Sequence, residues 1–349
     1  MKLSIGIVGL PNVGKSTLFK ILTKQEVNIA NYPFATIDPN IGIVAVPDER
    51  LSKLAELSSS KKIVPAVVEF YDIAGLVKGA NKGEGLGNQF LAHIRDVSAI
   101  VQVVRCFGGG EIIHVEEKID PVRDLEIINT ELILKDLDTV LKRLAKLEGE
   151  ARTGDKQKVK DLEILKLISE SLNKGILAVN FLEEYQHKSV SENLRESALL
   201  KELSLLTLKP QIYLLNGKET DSSEELKNKI RELGTDYLIM DLAETGDVNE
   251  LIKKAYEILG LISFLTTGED ETRAWTIKKG MRAREAAGVI HTDFEHKFIK
   301  AEVIDWQKLL EAGSGQANSW AVAKQKGWLR LEGKDYEVQD GDVMVIKHG

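Results

Sequence analysis

The sequence predicts a doubly wound α/β domain that carries a helical insertion and is followed by a small C-terminal α+β module. Three observations predict it. Short β-branched runs separated by crossover-length segments fill residues 1 to 120 and resume after residue 205, as in a parallel sheet covered by helices. Between Asp120 and Ser204 glycine and proline nearly vanish, and leucines recur at helical spacing among charged residues. Beyond Thr266 short strand-like runs and turn residues replace both patterns. The expected domains are therefore 1–120 with 205–265, an insertion over 121–204, and a module over 266–349.

Taken in order, Lys2–Val8, Val67–Tyr71 and Ala99–Arg105 read as strands, the last two apolar enough to be buried on both faces. Leu134, Leu137, Leu141 and Leu144 step by three and four along one helix face. A polar turn, Arg152–Lys156, separates them from a second stripe, Val159, Leu162, Leu165 and Ile168, so the insertion reads as an antiparallel helical hairpin of coiled-coil type. Gln211–Leu215 and Asp236–Leu242 return to the sheet, and Tyr256–Leu265 closes the domain. In the last region Arg273–Ile277, Phe298–Val303 and Asp342–Lys347 are strands, with a short helix around Arg284–Val289.

The chain has 349 residues, 43% hydrophobic and 29% charged, which suits packed cores and argues against disorder or low complexity. A formal net charge of −7 excludes a wholly basic nucleic-acid coat protein, although not a local basic patch. One cysteine, Cys106, allows neither an internal disulfide nor a cysteine-rich zinc site. Met1–Leu10 runs into a glycine-rich motif and not a small-residue cleavage site, so it is not read as a signal peptide. Ile258–Gly268 falls far short of the ~20 apolar residues that span a bilayer. A cytoplasmic protein with no membrane and no DNA partner is expected.

Gly9-Leu-Pro-Asn-Val-Gly14-Lys15-Ser16 fits the phosphate-binding loop G-x-x-x-x-G-K-[ST], and it lies where that loop must lie, between a predicted strand and a predicted helix. Its glycines let backbone N–H groups face phosphate oxygens, and the helix N-terminus adds partial positive charge. Lys15 is the residue for the β- and γ-phosphates, and the Ser16 hydroxyl is a ligand for Mg²⁺. Asp72 directly follows a strand and begins Asp-Ile-Ala-Gly75, which places a carboxylate on the metal side and lets the Gly75 N–H approach a γ-phosphate. Gly79, Gly83, Gly85 and Gly87 then describe a candidate nucleotide-sensing switch. Thr36, on the loop Asn31–Asn40, is the expected second hydroxyl on the metal.

Guanine-specific proteins of this kind end a strand with Asn-Lys-x-Asp, whose Asp accepts two hydrogen bonds from the base. Here the strand ends Asn216-Gly217-Lys218-Glu219: the acid is one methylene longer and the lysine has moved by one position. A displaced carboxylate weakens the paired guanine contacts, and the Asn216 amide offers a donor and an acceptor to adenine N7 and N6.

With these residues the chain resembles the YchF group of Obg-like ATPases. The likeness rests on Gly6–Thr17, Asn31–Thr36, Asp72–Ala80, Gly83–Phe90, Arg105–Phe107, Arg273–Ile277 and Ala287–Phe294, and it covers nearly the whole chain. The resemblance implies a doubly wound P-loop NTPase domain, a coiled-coil arm and a C-terminal TGS domain of ubiquitin-like β-grasp fold. It implies Mg²⁺-dependent hydrolysis of ATP in preference to GTP, with Asn216 and Glu219 in an Asn-x-x-Glu segment, and a ribosome partner, the large subunit or ribosomal RNA. The implied binding set is Asn12, Val13, Gly14, Lys15, Ser16, Thr17, Gly75, Asn216, Gly217 and Glu219, with Ser16, Thr36 and Asp72 on the metal. Lys218 inside the base-reading segment leaves GTP as an alternative.

Leu76 stands where many GTPases carry a water-orienting glutamine, so slow intrinsic turnover is expected. Asn88, Gln89, His93 and His114 are candidates for the missing polar contact, and the resemblance favours His114 as catalytic beside Lys15. Arg273, Lys278, Lys279, Arg282 and Arg284, with Trp275 among them, form an acid-free run that suits RNA phosphates. Two alternatives to an ATPase switch are a GTP-specific relative and an RNA- or ribosome-binding module in which nucleotide is structural. A metabolic kinase finds no second substrate site in the sequence.

Overall fold

The computed structural model describes residues 4–24, 40–73, 86–108, 119–152, 154–188, 198–313 and 319–349. The chain divides into two compact units, one of 1–22, 38–42 and 70–247 and one of 23–37, 43–69 and 248–349. The first half of the chain forms β1 (Ser4–Val8), α1 (Lys15–Thr23), β2 (Ile41–Ala45), α2 (Glu49–Ser58), β3 (Ile63–Val64), β4 (Val67–Asp72), α3 (Leu86–Asp96) and β5 (Ala99–Arg105). Helices α4 (Pro121–Ala151), α5 (Lys156–Asn173), α6 (Ala178–Lys188) and α7 (Ala198–Leu203) follow. The chain then runs through β6 (Gln211–Asn216), α8 (Glu224–Glu232), β7 (Tyr237–Met240) and α9 (Asn249–Ile258). It ends with β8 (Leu261–Thr267), β9 (Thr272–Lys278), α10 (Ala283–Ile290), α11 (Thr292–His296), β10 (Phe298–Asp305), α12 (Trp306–Gly313), α13 (Ser319–Gln325), β11 (Arg330–Glu332) and β12 (Asp342–His348).

The first sheet has the order β2-β4-β1-β5-β6-β7. β1, β5, β6 and β7 are mutually parallel, and every residue of β1, β5 and β6 is buried, which is why those segments read as largely apolar runs. β4, expected to be buried on both faces, instead alternates buried and half-buried residues. The parallel register sets Arg105 opposite Asn216 and Asn216 opposite Met240, so these strand ends share one carboxyl edge.

The helical insertion begins at α4, where Asp120 caps the Arg123 N–H and Pro121 takes the first turn. Asp155 caps α5 in the same way. The buried stripe of α4 differs from the expected one. Ile133, Val140 and Leu147 are buried and Leu137 and Leu144 pack beside them, whereas Leu134 and Leu141 are 39% and 49% exposed. The spacing 133, 137, 140, 144, 147 is a heptad seam; it shares Leu137 and Leu144 with the expected stripe and turns Leu134 and Leu141 outward. On α5, Leu165 and Ile168 are buried with Leu162 beside them, but Val159 is exposed. Asp136, fully buried, ties α4 to the chain entering β6 by accepting from the Leu206 and Thr207 N–H groups at 2.8 Å each and from Thr207 Oγ1 at 2.7 Å. Asn129 Nδ2 donates to Tyr213 Oη at 3.0 Å.

In the second unit a sheet has the order β11-β10-β12-β8-β9-β3. β8 and β12 are parallel at its centre, while β9 and β10 run antiparallel to their neighbours β8 and β12. Ala283 and Ala286 of α10 pack on Phe264, Ile277, Ala301, Val303 and Met344. This is the β-grasp arrangement. It also corrects the expected boundary at residue 265, because β8 belongs to this sheet. Tyr256–Leu265 holds the end of α9, a turn at Gly260 (φ +65°) and the start of β8. Helix α2 and strand β3, expected in the first domain, also fall in this unit. Ile63 pairs with Thr272, α2 buries Leu51, Leu54 and Ala55, and Arg50 Nη1 meets Asp340 Oδ2 at 2.7 Å. Among the described residues no helix is long and apolar enough to cross a membrane.

Candidate nucleotide-binding site

The site grows from the end of β1. The chain leaves Val8 through Gly9 (φ +156°), Asn12 (φ +63°) and Gly14 (φ +110°), then enters α1 at Lys15. A Cβ on Gly9 would lie 2.6 Å from the Val103 carbonyl oxygen, and one on Gly14 would overlap the Asn216 amide, so glycine is required at both turns. Val13 and Leu18 are buried and anchor the loop, while the side chains of Ser16 and Thr17 are exposed at the helix N-terminus.

Lys15 is only 8% exposed, and its Nζ donates to the carbonyls of Gly9 at 3.0 Å and Leu10 at 2.7 Å. Burial lowers its ammonium to about 8, with Asp72 pulling the other way. Burial likewise raises the Asp72 carboxyl, with Lys15 opposing it. The half-buried Asp72 carboxylate at the end of β4 is thus within electrostatic reach of the Lys15 ammonium in the loop. Charge of both signs is in place for a phosphate and a cation.

Asn216 holds the next wall. Its Nδ2 donates to the Val13 carbonyl at 2.8 Å, and its Oδ1 accepts the Leu242 N–H at 3.1 Å. Both halves of the amide are therefore engaged by backbone. The residue fastens the phosphate loop to β6, and the amide keeps a second N–H and a second oxygen lone pair for a base. The Cys106 N–H donates to the Asn216 carbonyl and the Gly217 N–H to that of Met240, which locks the three strand ends together. Burial pushes the Cys106 thiol up to about 11, so it is an inert packing group.

Beyond Gly217, Lys218 Nζ meets Glu244 Oε1 at 2.8 Å, and the Lys218 N–H donates to Asp221 Oδ2 at 2.9 Å. Glu219 Oε1 accepts from Lys227 Nζ at 2.6 Å. Lys227 and Leu242 were not anticipated; no motif marks them, since both act on the loop from outside the strand that carries it. Thr36, Gly75, Leu76 and His114, with most of the glycine-rich switch, lie outside the described residues. His93 is exposed on α3.

The expected basic cluster is partly neutralised in the fold. Arg282 pairs with Asp335 at 2.8 Å, Arg273 with Glu271 at 3.5 Å, and Arg284 Nε donates to the Glu295 carbonyl at 3.2 Å. Trp275 stacks on Phe264 with centroids 6.4 Å apart and donates to Thr266 Oγ1, so it belongs to the packing of β8 and β9.

A glycine turn, a buried lysine and a helix N-terminus at the carboxyl edge of a parallel sheet define a P-loop nucleoside triphosphate phosphohydrolase. A family model described as "50S ribosome-binding GTPase" matches residues 4–143, and a C-terminal YchF-GTPase model described as "Protein of unknown function (DUF933)" matches residues 261–349. A Bacillus subtilis (strain 168) protein named ribosome-binding ATPase YchF is 47% identical over 379 residues, covering 99% of this chain and 99% of that protein. The Escherichia coli O157:H7 protein of the same name is 42% identical over 372 residues, covering 99% and 98%. The solved structure of the Schizosaccharomyces pombe YchF GTPase superposes with a TM-score of 0.82 at 38% identity, covering 99% of this chain and 98% of that one. The chain belongs to the YchF family.

Proposed function

We propose that this protein is a ribosome-associated, Mg²⁺-dependent switch that hydrolyses ATP in preference to GTP and turns over slowly on its own. The observation that supports the reading is a phosphate loop carrying Lys15 and Ser16, tied through Val13 to Asn216, whose segment continues to Glu219 and not to Asp. The names of the relatives support the ATP and ribosome assignments, and the β-grasp order of the C-terminal sheet supports a TGS domain, with the large subunit or ribosomal RNA as partner.

The donor set fits Mg²⁺. Ser16 and Asp72, with Thr36, would hold it, and it would neutralise charge on the β- and γ-phosphates. Among the described residues no group of three or more His, Cys, Asp and Glu side chains is placed to hold a metal ion. A Mg²⁺ site of hydroxyl, carboxylate and phosphate oxygens needs no such group. Lys15, released from the Gly9 and Leu10 carbonyls, binds the transferring phosphoryl oxygens, and backbone N–H groups of Asn12 to Thr17 cradle the phosphates. Leu76 cannot orient water, and His114 is proposed to supply the polar contact.

The test is steady-state turnover of Mg²⁺-ATP with and without ribosomes. The reading expects slow, Mg²⁺-dependent hydrolysis that ribosomes alter. Nucleotide bound but not turned over in either condition would favour a binding module in which the nucleotide is structural.

A further inference from the structure

We propose that Lys227 is a positioning residue that sets base selectivity by occupying one oxygen of Glu219. The proposal rests on the reading of Glu219 as the acid that faces the base. Three observations support it. Glu219 opens the turn after Asn216, whose amide reaches the phosphate loop, so this turn stands at the nucleotide edge of the sheet. Of the two acids in the turn, Asp221 accepts from the Lys218 N–H, whereas the Glu219 carboxylate meets a side chain and is 72% exposed. Lys227 rises from α8 with its side chain only 7% exposed, and its Nζ meets Glu219 Oε1 at 2.6 Å and Glu224 Oε1 at 3.0 Å.

The consequence is chemical. Guanine presents two adjacent donors, N1–H and the 2-amino group, which a carboxylate matches best with both oxygens. Adenine presents one amino donor on that edge and needs one acceptor. With Oε1 committed to the ammonium, Oε2 remains for the base, and guanine has a donor without a partner of equal quality. Glu219 is 72% exposed, so the pair adds little to stability; its effect lies in which oxygen is occupied.

The experiment is calorimetric titration of ATP, GTP and inorganic tripolyphosphate, all with Mg²⁺, into the full chain and its variants. Lys227→Met should tighten GTP relative to ATP by at least about fivefold while tripolyphosphate affinity stays put. Lys227→Arg, which keeps a donor, should retain most of the parent ratio. Glu219→Gln, at an exposed position that does not endanger folding, should also move the ratio, and adding Lys227→Met to it should change nothing more. A ratio within about twofold of the parent's in Lys227→Met overturns the proposal, whatever Glu219→Gln does. A further shift of the ratio in the double variant also overturns it, because Lys227 would then act without Glu219. A parent that prefers GTP refutes the ATP reading alone, since the shift on removing the Lys227 ammonium is read from the ratio of variant to parent.

Discussion

The side-chain amide of Asn216 bridges Val13 and Leu242, donating to one backbone carbonyl at 2.8 Å and accepting from the other residue's N–H at 3.1 Å. It thus couples the base side of the site to the phosphate side. Asn216→Ala strands a buried carbonyl and a buried N–H, and the loop loses its tie. ATP and GTP affinities should both fall, by about tenfold and by similar factors. Parallel titrations of the two nucleotides check this; a loss confined to ATP would return Asn216 to reading the base.

His114→Ala should lower turnover by at least about tenfold while ATP affinity stays nearly intact, the signature of an interaction made mainly in the transition state. Single-turnover hydrolysis beside equilibrium titration separates the two quantities. Hydrolysis at the parent rate would make His114 an ordinary loop residue.

In the helical insertion, Leu147→Ala should cost about 2–5 kcal/mol, because Leu147 is fully buried in the seam with Leu165 and Ile168. Leu141→Ala, at a half-exposed position, should cost less than about 1 kcal/mol. Urea unfolding followed by circular dichroism ranks the two, and equal costs would mean that the seam is misplaced.

Alkaline pH tests the second unit. Burial pushes the Tyr256 phenol up to about 12, although its bonds to Ser263 and Thr276 pull the other way. The folded chain therefore keeps a proton that the unfolded chain gives up near its ordinary value of 10, so stability from this group falls as pH rises from about 10 to about 12. Tyr256→Phe should cost about 1–2 kcal/mol at pH 7 through the lost contacts to Ile262, Ser263 and Thr276. It should also flatten the alkaline decline. Thermal melts of parent and variant across that window give both numbers, and identical slopes would contradict the assignment.

Where physical chemistry dictates residue type, the sequence was legible. Phosphate binding demands Gly9, Gly14, Lys15 and Ser16 in one order, and a strand buried on both faces demands an apolar run such as Ala99–Arg105, whose bounds the structure reproduces. The α4 seam was misread because a leucine-rich segment carries two overlapping stripes, and only the partner helix selects Ile133 and Val140 over Leu134 and Leu141. The apolar run at Tyr256–Leu265 hid a change of element that Gly260 alone marks. Nothing local revealed that Asn216 is spent on Val13, 203 residues away, or that α2 packs with the C-terminal sheet. Those facts belong to tertiary structure, where hydrogen bonds and burial decide among choices the local pattern leaves open.

The central claim is that a P-loop site with Glu219 on its base side takes ATP. Calorimetric titration of Mg²⁺-ATP and Mg²⁺-GTP into the full-length chain measures it directly. ATP should bind the more tightly of the two; GTP binding at least about tenfold tighter than ATP would show that the carboxylate reads guanine after all.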